Sequence, residues 1–72
     1  MLRTSKISRL AYINCADSLL GVGDELRDER QGIVDSLKDD SIIELDENGG
    51  FHFIGDGSES NKEHYLDCYK NF

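Results

Sequence analysis

The chain has 72 residues and carries fifteen acidic residues against eight basic ones, for a formal net charge of −7. Such an acidic surface repels nucleic acid and anionic membranes, so we expect direct binding to neither, and it attracts basic partners. No apolar run of about 18 residues could span a membrane, and a hydrophobic fraction of 38% is too high for a disordered acidic tail. The sequence therefore predicts one small cytoplasmic domain over residues 1–72, present as a monomer or a homodimer.

The first predicted element is a helix. Five apolar residues recur at spacings of four, four, four and three, the pattern of one helical face, and Leu10 flanks them. These residues are Ile7, Ala11, Cys15, Leu19 and Val22. We expect this helix to run over about 5–20, with Thr4 or Ser5 as its cap and Gly21 at its end.

Asp24 is expected to cap a second helical stretch, where several acids suit the positive end of a helix dipole. Four apolar residues form its expected buried side: Leu26, Ile33, Val34 and Leu37. Gly32 lies in the middle of the stretch and costs about 1 kcal/mol relative to alanine. The pattern leaves open either one helix over 24–38 or two short helices broken near Gly32.

Residues 41–46 and 50–54 are typical of two strands, and the turn residues between them predict a β-hairpin. A three-residue loop over 48–50 would pair Leu45 with Phe53. This register would place four apolar residues on one face. They are Ile43, Leu45, Phe51 and Phe53.

A last helix is predicted after the hairpin, because Ser60 and Glu63 have capping-box spacing. Its expected inward residues are Tyr65, Cys68, Tyr69 and Phe72. The predicted fold class is therefore α+β, a small single domain in the order helix, helix or helices, β-hairpin and helix. The hairpin is expected to pack on residues from all the helices: Ile7, Ala11, Leu19, Ile33, Leu37, Tyr65, Tyr69 and Phe72.

A break at Gly32 would give three short helices before the hairpin, an order that resembles a winged-helix module. The resemblance implies a recognition helix over 33–39 and a wing tip over 46–48. Both segments carry carboxylates where DNA-binding members need lysine and arginine, so the charge argues against DNA binding. The alternative function is a regulatory or assembly module whose contact is an apolar patch, for instance at Ile42 or Ile54.

His64 and Cys68 are four residues apart, which places both side chains on one helix face at metal-ligand spacing. Cys15 and His52 could complete a Cys2His2 zinc set, and the two cysteines could instead form one disulfide. Both cysteines lie on apolar stripes, so we expect buried free thiols, with no metal and no cofactor. A Cys68–His64 nucleophile–base pair lacks an oxyanion turn, so we expect no enzyme.

Four aspartates would lie nearly in line on a continuous second helix, at spacings of four, seven and four residues. Four residues rise about 6 Å, comparable to the phosphate repeat of a nucleic-acid strand. We expect an inhibitor, encoded by a bacteriophage or mobile element, that mimics DNA and blocks the basic surface of a nucleic-acid-binding protein. The expected contact residues are Asp24, Asp28, Asp35, Asp39, Asp40, Glu44 and Asp46.

Overall fold

The computed structural model describes residues 2–71, and within them it contains three helices and one antiparallel hairpin. The predicted α+β order of helix, helix, hairpin and helix is confirmed. The helices are α1, Arg3–Leu20, α2, Asp24–Asp39, and α3, Ser58–Lys70, and the strands are β1, Ile43–Leu45, and β2, Phe51–Phe53. No helix in this range is both long enough and apolar enough to cross a membrane.

Helix α2 is continuous through Gly32, so two helices precede the hairpin. The three-helix order behind the winged-helix resemblance required a break there, and α2 does not contain it. Gly32 lies on the outer surface, where an added β-carbon would meet no atom within 4 Å. Burial of Ile33 and Leu37 on the other side holds the helix together, because tertiary packing outweighs the modest penalty of one glycine.

The core lies where α1 meets α2 and the hairpin. Six buried apolar side chains form it: Ile7, Leu10, Ile13, Ile33, Leu37 and Ile43. Ala11 and Cys15 of α1 are buried as well. Helix α1 packs against both other helices, while the hairpin contacts α2 through β1 and α3 through β2. Helix α1 is therefore the central element.

The buried face of α1 differs from the predicted stripe. Leu19, expected in the core, is 71% exposed, whereas Ile13, outside the stripe, is fully buried. Each step of four residues advances about 40° around a helix, so Leu19 lies about 120° from Ile7. Leu10 and Ile13 extend the buried face on the other side of Ile7, while on the side of Leu19 this face ends at Cys15.

The strand register also differs from the prediction. Leu45 pairs with Phe51 rather than Phe53, and Phe53 pairs with Ile43. A shift of two residues preserves the alternation of faces, so these four side chains share one side of the hairpin as predicted. Ile43 is fully buried and the two phenylalanines are half-buried, but Leu45 is 44% exposed.

A side-chain cap explains this register. The Asp46 carboxylate accepts hydrogen bonds from the backbone N–H groups of Asn48 at 3.1 Å and Gly50 at 2.9 Å. The Asp46 N–H donates to the Gly50 carbonyl, which closes a three-residue loop over 47–49 instead of 48–50. Gly49 adopts a left-handed φ of 82°, the conformation required at the last position of such a loop.

The predicted side-chain caps at the helix N-termini are not formed, and Asp24 is the first residue of α2 rather than its cap, whereas α1 ends at Gly21 as predicted. Helix α1 begins at Arg3, so Thr4 and Ser5 lie within its first turn. Helix α3 begins at Ser58, so Ser60 lies inside the helix and no capping box forms. Both helices start without a side-chain cap, so tertiary packing rather than capping holds these ends in place.

Helix α3 is attached to β2 by aromatic side chains. The ring centroids of Phe51 and Tyr65 are 5.5 Å apart in an edge-to-face arrangement, and those of Phe53 and Tyr65 are 5.9 Å apart. Such pairs contribute about 0.5–1.5 kcal/mol each beyond the area they bury. Of the four residues predicted to face inward, three are half-buried and the last lies outside the described residues: Tyr65, Cys68, Tyr69 and Phe72.

Leu10→Ala is expected to lower the free energy of unfolding by about 2–5 kcal/mol, because it leaves a cavity among buried side chains. Leu19→Ala is the matched change in the same helix, and because Leu19 is exposed we expect a change within about 0.5 kcal/mol. Urea unfolding monitored by circular dichroism measures both variants. Equal losses would contradict the observed buried face of α1.

Gly32→Ala is expected to raise the free energy of unfolding by about 0.5–1 kcal/mol, because alanine favours the helix and the outer surface has room for it. Gly49→Ala is expected to lower it by about 1 kcal/mol or more, because alanine disfavours a positive φ. Thermal unfolding compares the two. A destabilising Gly32→Ala would show that α2 is not continuous there.

Candidate functional site

The four aspartates predicted to lie in line do share one face of α2, and we call them the acidic row: Asp24, Asp28, Asp35 and Asp39. All four are exposed. At about 100° per residue they fall within about 60° of one another, roughly opposite the buried Ile33. The row extends about 22 Å along the helix axis.

Other acids near α2 form ion pairs with basic side chains of this chain. Three ion pairs connect α1 with α2 or its C-terminal cap: Lys6–Asp40, Arg9–Glu29 and Arg30–Asp17. No ion pair within residues 2–71 includes the acidic row. The side of α2 that faces α1 is therefore close to neutral, and the opposite side keeps its negative charge.

The Arg9–Glu29 pair is bidentate and joins the middle of α1 to α2. Arg9 Nη2 donates to Glu29 Oε1 at 2.9 Å, and Arg9 Nε donates to Oε2. The hydrogen bonds from Arg9 hold the pKa of Glu29 below its ordinary range, and they raise the pKa of Arg9. The Arg9 guanidinium also lies over the Tyr12 ring, 5.0 Å from its centroid.

A hydrogen-bonded chain connects all three helices. Arg30 Nη1 on α2 donates to Asp17 Oδ2 at 2.9 Å and to Asn14 Oδ1 at 3.2 Å, both on α1. Asn14 Nδ2 in turn donates to the Tyr65 hydroxyl on α3 at 3.0 Å. Burial raises the pKa of Tyr65, so this hydroxyl stays protonated. These contacts fix the orientation of α2 and hence of the acidic row.

The other predicted contact residues have different roles. Asp40 pairs with Lys6 at 3.4 Å, and Asp46 caps the hairpin loop, so both carboxylates have partners within the fold. Glu44 is exposed on the hairpin face opposite Ile43. Among the described residues, no ion pair includes the acidic row or Glu44, although Asp35 accepts a hydrogen bond from Gln31. Asp40 and Asp46 are exposed too, but they also support the structure.

Two cations border the acidic row, a position that was not predicted from the sequence. Arg27 and Lys38 are exposed, each three residues after an aspartate of the row, Asp24 and Asp35 respectively. They lie about 40–60° from Asp24 around the helix, on one side of the row. The spacing of three residues was the available signal, because side chains at that spacing are neighbours on a helix.

The structure brings His64 and Cys68 together as predicted, but with unexpected neighbours from α1. His64 Nε2 lies 2.8 Å from Ser8 Oγ and 3.2 Å from the Thr4 carbonyl oxygen. Cys68 Sγ lies 3.5 Å from Ser8 Oγ. Nothing in the spacing of Thr4 and Ser8 indicated this contact, because it depends on how α3 packs against α1.

The Cys2His2 set does not assemble. Cys15 and Cys68 are free thiols, Cys15 buried and Cys68 half-buried. His52 is exposed on β2. Within the described part of the chain, no three His, Cys, Asp or Glu side chains are grouped as metal ligands.

The two residues named as examples for the apolar contact of the alternative function are not among the exposed ones. Ile42 and Ile54 are half-buried, and Ile42 packs against the core. Leu19 and Leu20, at the end of α1, are instead 71% and 90% exposed. These two side chains are more exposed than Leu45 of the hairpin, at 44%, and Leu66 of α3, at 40%.

No family model matches this chain, and comparisons with curated proteins and with solved structures find no match. The functional interpretation therefore depends on the surface itself. The acidic row is its most regular charged feature. The cluster around His64 and Cys68 is a second, separate arrangement.

The Arg9–Glu29 pair predicts a specific pH dependence. Because the folded state lowers the pKa of Glu29, the pair stabilises the protein at neutral pH, and this contribution is lost as the pH falls below about 4. Glu29→Gln is expected to lose less stability than wild type between pH 6 and pH 3. Urea unfolding at each pH measures this, with Glu63→Gln as the control for loss of one exposed carboxylate. Parallel curves for wild type and Glu29→Gln would contradict it.

Proposed function

We propose that this protein is a non-enzymatic inhibitor that occupies a basic nucleic-acid-binding surface of another protein with the acidic row and Glu44. The supporting observation is one continuous helix that holds four exposed carboxylates in line, opposite its buried face. Charges of one sign held at regular spacing attract a surface of the opposite sign and accelerate association with it.

The spacing of the row suits a surface that binds phosphates. Asp24 and Asp28 are about 6 Å apart along the axis, as are Asp35 and Asp39, and about 10 Å separates the two pairs. Proteins that bind nucleic acid place lysine and arginine along the phosphate backbone. Carboxylates at similar intervals can pair with those cations and exclude the nucleic acid.

The row is also preorganised. Helix α2 is held by the buried Ile33 and Leu37 and by the ion pairs to α1. A helix held in this way does not have to be ordered on binding, which reduces the entropic cost of association. The proposed target is a protein with a basic groove, of the host if the chain belongs to a phage or mobile element.

Asp28→Lys with Asp35→Lys is expected to weaken the complex by about tenfold or more, because it reverses the centre of the acidic row. Asp56→Lys with Glu63→Lys is the matched control, since it makes the same charge change at exposed sites outside the row. Wild type and both variants serve as baits in lysate of the native source, and quantitative mass spectrometry compares the captured proteins. Equal capture by all three baits would contradict the proposal.

Salt and nucleic acid provide a second test on the captured complex. Raising the salt from 50 to 200 mM is expected to weaken it by about tenfold or more, because pairing between charges at a surface is screened. Duplex DNA or RNA should release the target by competition. A complex indifferent to both treatments would exclude nucleic-acid mimicry.

Arg27→Gln with Lys38→Gln is expected to strengthen binding severalfold, because it removes the two cations beside the acidic row. The association rate should rise with it, and surface plasmon resonance on the captured target measures both. Unchanged or slower association would indicate that the row is not the contact surface.

A second candidate is a regulatory or assembly role through apolar contact, favoured by the exposure of Leu19 and Leu20. Leu19→Ser with Leu20→Ser separates the two functions in the same capture experiment. If the complex survives high salt and is lost in this variant, the apolar contact is the functional one. If the complex is lost only when Asp28 and Asp35 are changed to lysine, the acidic row is the functional contact.

A further inference from the structure

A cavity lies beside the middle of the acidic row. It has a volume of about 480 Å³ and is enclosed by α1, α2 and the hairpin. Gln31 and Val34 line it on the side of α2, and the hairpin loop lines it with Gly49 and Gly50. Gln31 and Gly49 are exposed, so the cavity opens to solvent between the helix and the loop.

Gln31 connects this cavity to the acidic row. It lies about 20° from Asp24 around the helix, in the gap of about 10 Å that separates the two pairs of aspartates. Its Nε2 donates a hydrogen bond to Asp35 Oδ1 at 2.9 Å. A partner that pairs with aspartates on both sides of this gap therefore lies next to the mouth of the cavity.

Much of the cavity wall is apolar. Four apolar side chains contribute to it: Leu10, Val34, Leu45 and Phe51. Leu45 is 44% exposed, so an apolar group that enters the cavity covers surface that water now contacts. Concave sites of about 300–1,000 Å³ hold small organic molecules, so this one has room for the ring system of an aromatic side chain.

The charges around the cavity disfavour a basic side chain as its occupant. Arg30 lines the cavity, and Arg27 and Lys38 lie on the same side of the acidic row. Asp17 pairs with Arg30 at 2.9 Å, so the cavity does not select an anion either. An uncharged aromatic ring fits both conditions, because a guanidinium packs favourably against the face of such a ring.

We infer that the cavity receives an aromatic side chain of the target, and that the target binds single-stranded nucleic acid. The inference rests on the proposed function, because pairing with the acidic row brings the target to the cavity. Proteins that bind single strands combine cations along the backbone with aromatic side chains on which the bases stack. The aspartates then take the place of phosphates, and the cavity takes the place of a base.

Synthetic peptides test the cavity without knowledge of the target. The probe has two lysines at each end, with tryptophan and glycine between them. Its inner lysines lie about 10 Å apart in an extended chain, like Asp28 and Asp35 along α2. Matched peptides carry alanine or leucine in place of tryptophan, and NMR titration of the full chain at 50 mM salt measures each Kd. The tryptophan peptide is expected to bind at least fivefold more tightly than the alanine peptide and at least twofold more tightly than the leucine peptide.

The wild-type chain also reports where the ring binds, because it has no tryptophan of its own. The emission of the peptide's tryptophan is expected to shift to shorter wavelength, since the indole leaves water. The NMR signals of the Gly49 and Gly50 amides should move more with the tryptophan peptide than with the alanine peptide. Unshifted emission, or equal movement of these signals with both peptides, would contradict the inference.

Leu45→Ser is expected to weaken binding of the tryptophan peptide at least threefold and to leave binding of the alanine peptide unchanged. Leu66→Ser is the matched control, because Leu66 is 40% exposed and lines a different cavity, between α3 and β2. The inference is overturned if tryptophan binds no better than alanine or leucine. Loss of binding in Leu66→Ser rather than in Leu45→Ser would overturn it as well.

Reversal of charge in the row separates this inference from the proposed function. Asp28→Lys with Asp35→Lys is expected to weaken binding of every peptide at least tenfold. If it does so while the tryptophan and alanine peptides bind equally to wild type, the row remains the contact and only the cavity inference fails. If the reversal has no effect, the proposed function fails.

The class of nucleic acid is tested on the target captured from lysate. A single-stranded oligonucleotide is expected to release the target at a concentration at least tenfold lower than a duplex of the same length. Release by the duplex at an equal or lower concentration would overturn the assignment to single strands.

Discussion

The whole structure depends on the burial of α1 over a wide arc of its circumference. Leu10 and Ile13 lie on one side of Ile7, Cys15 lies on the other, and the buried arc covers about 200°. One neighbouring helix cannot cover such an arc, so α2 and α3 both pack against α1, and Ile43 of the hairpin joins the core that they enclose. A chain of this size buries only about 60% of the surface that its unfolded form exposes, so its core is small. Most of the buried side chains of that core belong to α1.

The position of α2 against α1 also determines the distribution of charge. Cations of α1 such as Lys6 and Arg9 neutralise acids on the facing side of α2 and at its C-terminal end. The acidic row, on the opposite side, is left without such partners among the described residues. The same packing that completes the core therefore separates the acids that stabilise the fold from those available to a partner.

Much of the fold could be predicted because it depends on local patterns. Helical spacing located all three helices to within a few residues, and strand alternation placed Ile43 and Phe53 on the correct face of the hairpin. The register of the two strands was harder to predict, because the Asp46 side chain closes the loop one residue earlier than the glycines alone suggest. The face of α1 was misjudged at Leu19, because a spacing of four drifts around a helix and only packing shows which arc is covered.

The sequence by itself determined that helical segments flank a hairpin, the unbalanced charge and the spacing of four aspartates along the chain, since periodicity and turn residues act over a few positions. That these aspartates lie on one unbroken helix was decided by packing, which holds α2 together through Gly32. Tertiary structure alone decided that Asp40 is paired with Lys6, 34 residues away, while Asp35 remains on the outer face. It also decided that Ser8 meets His64, 56 residues away. The physical reason is the same in each case. Contacts between distant residues arise from how helices pack, and no local pattern encodes which of several exposed or polar side chains will meet.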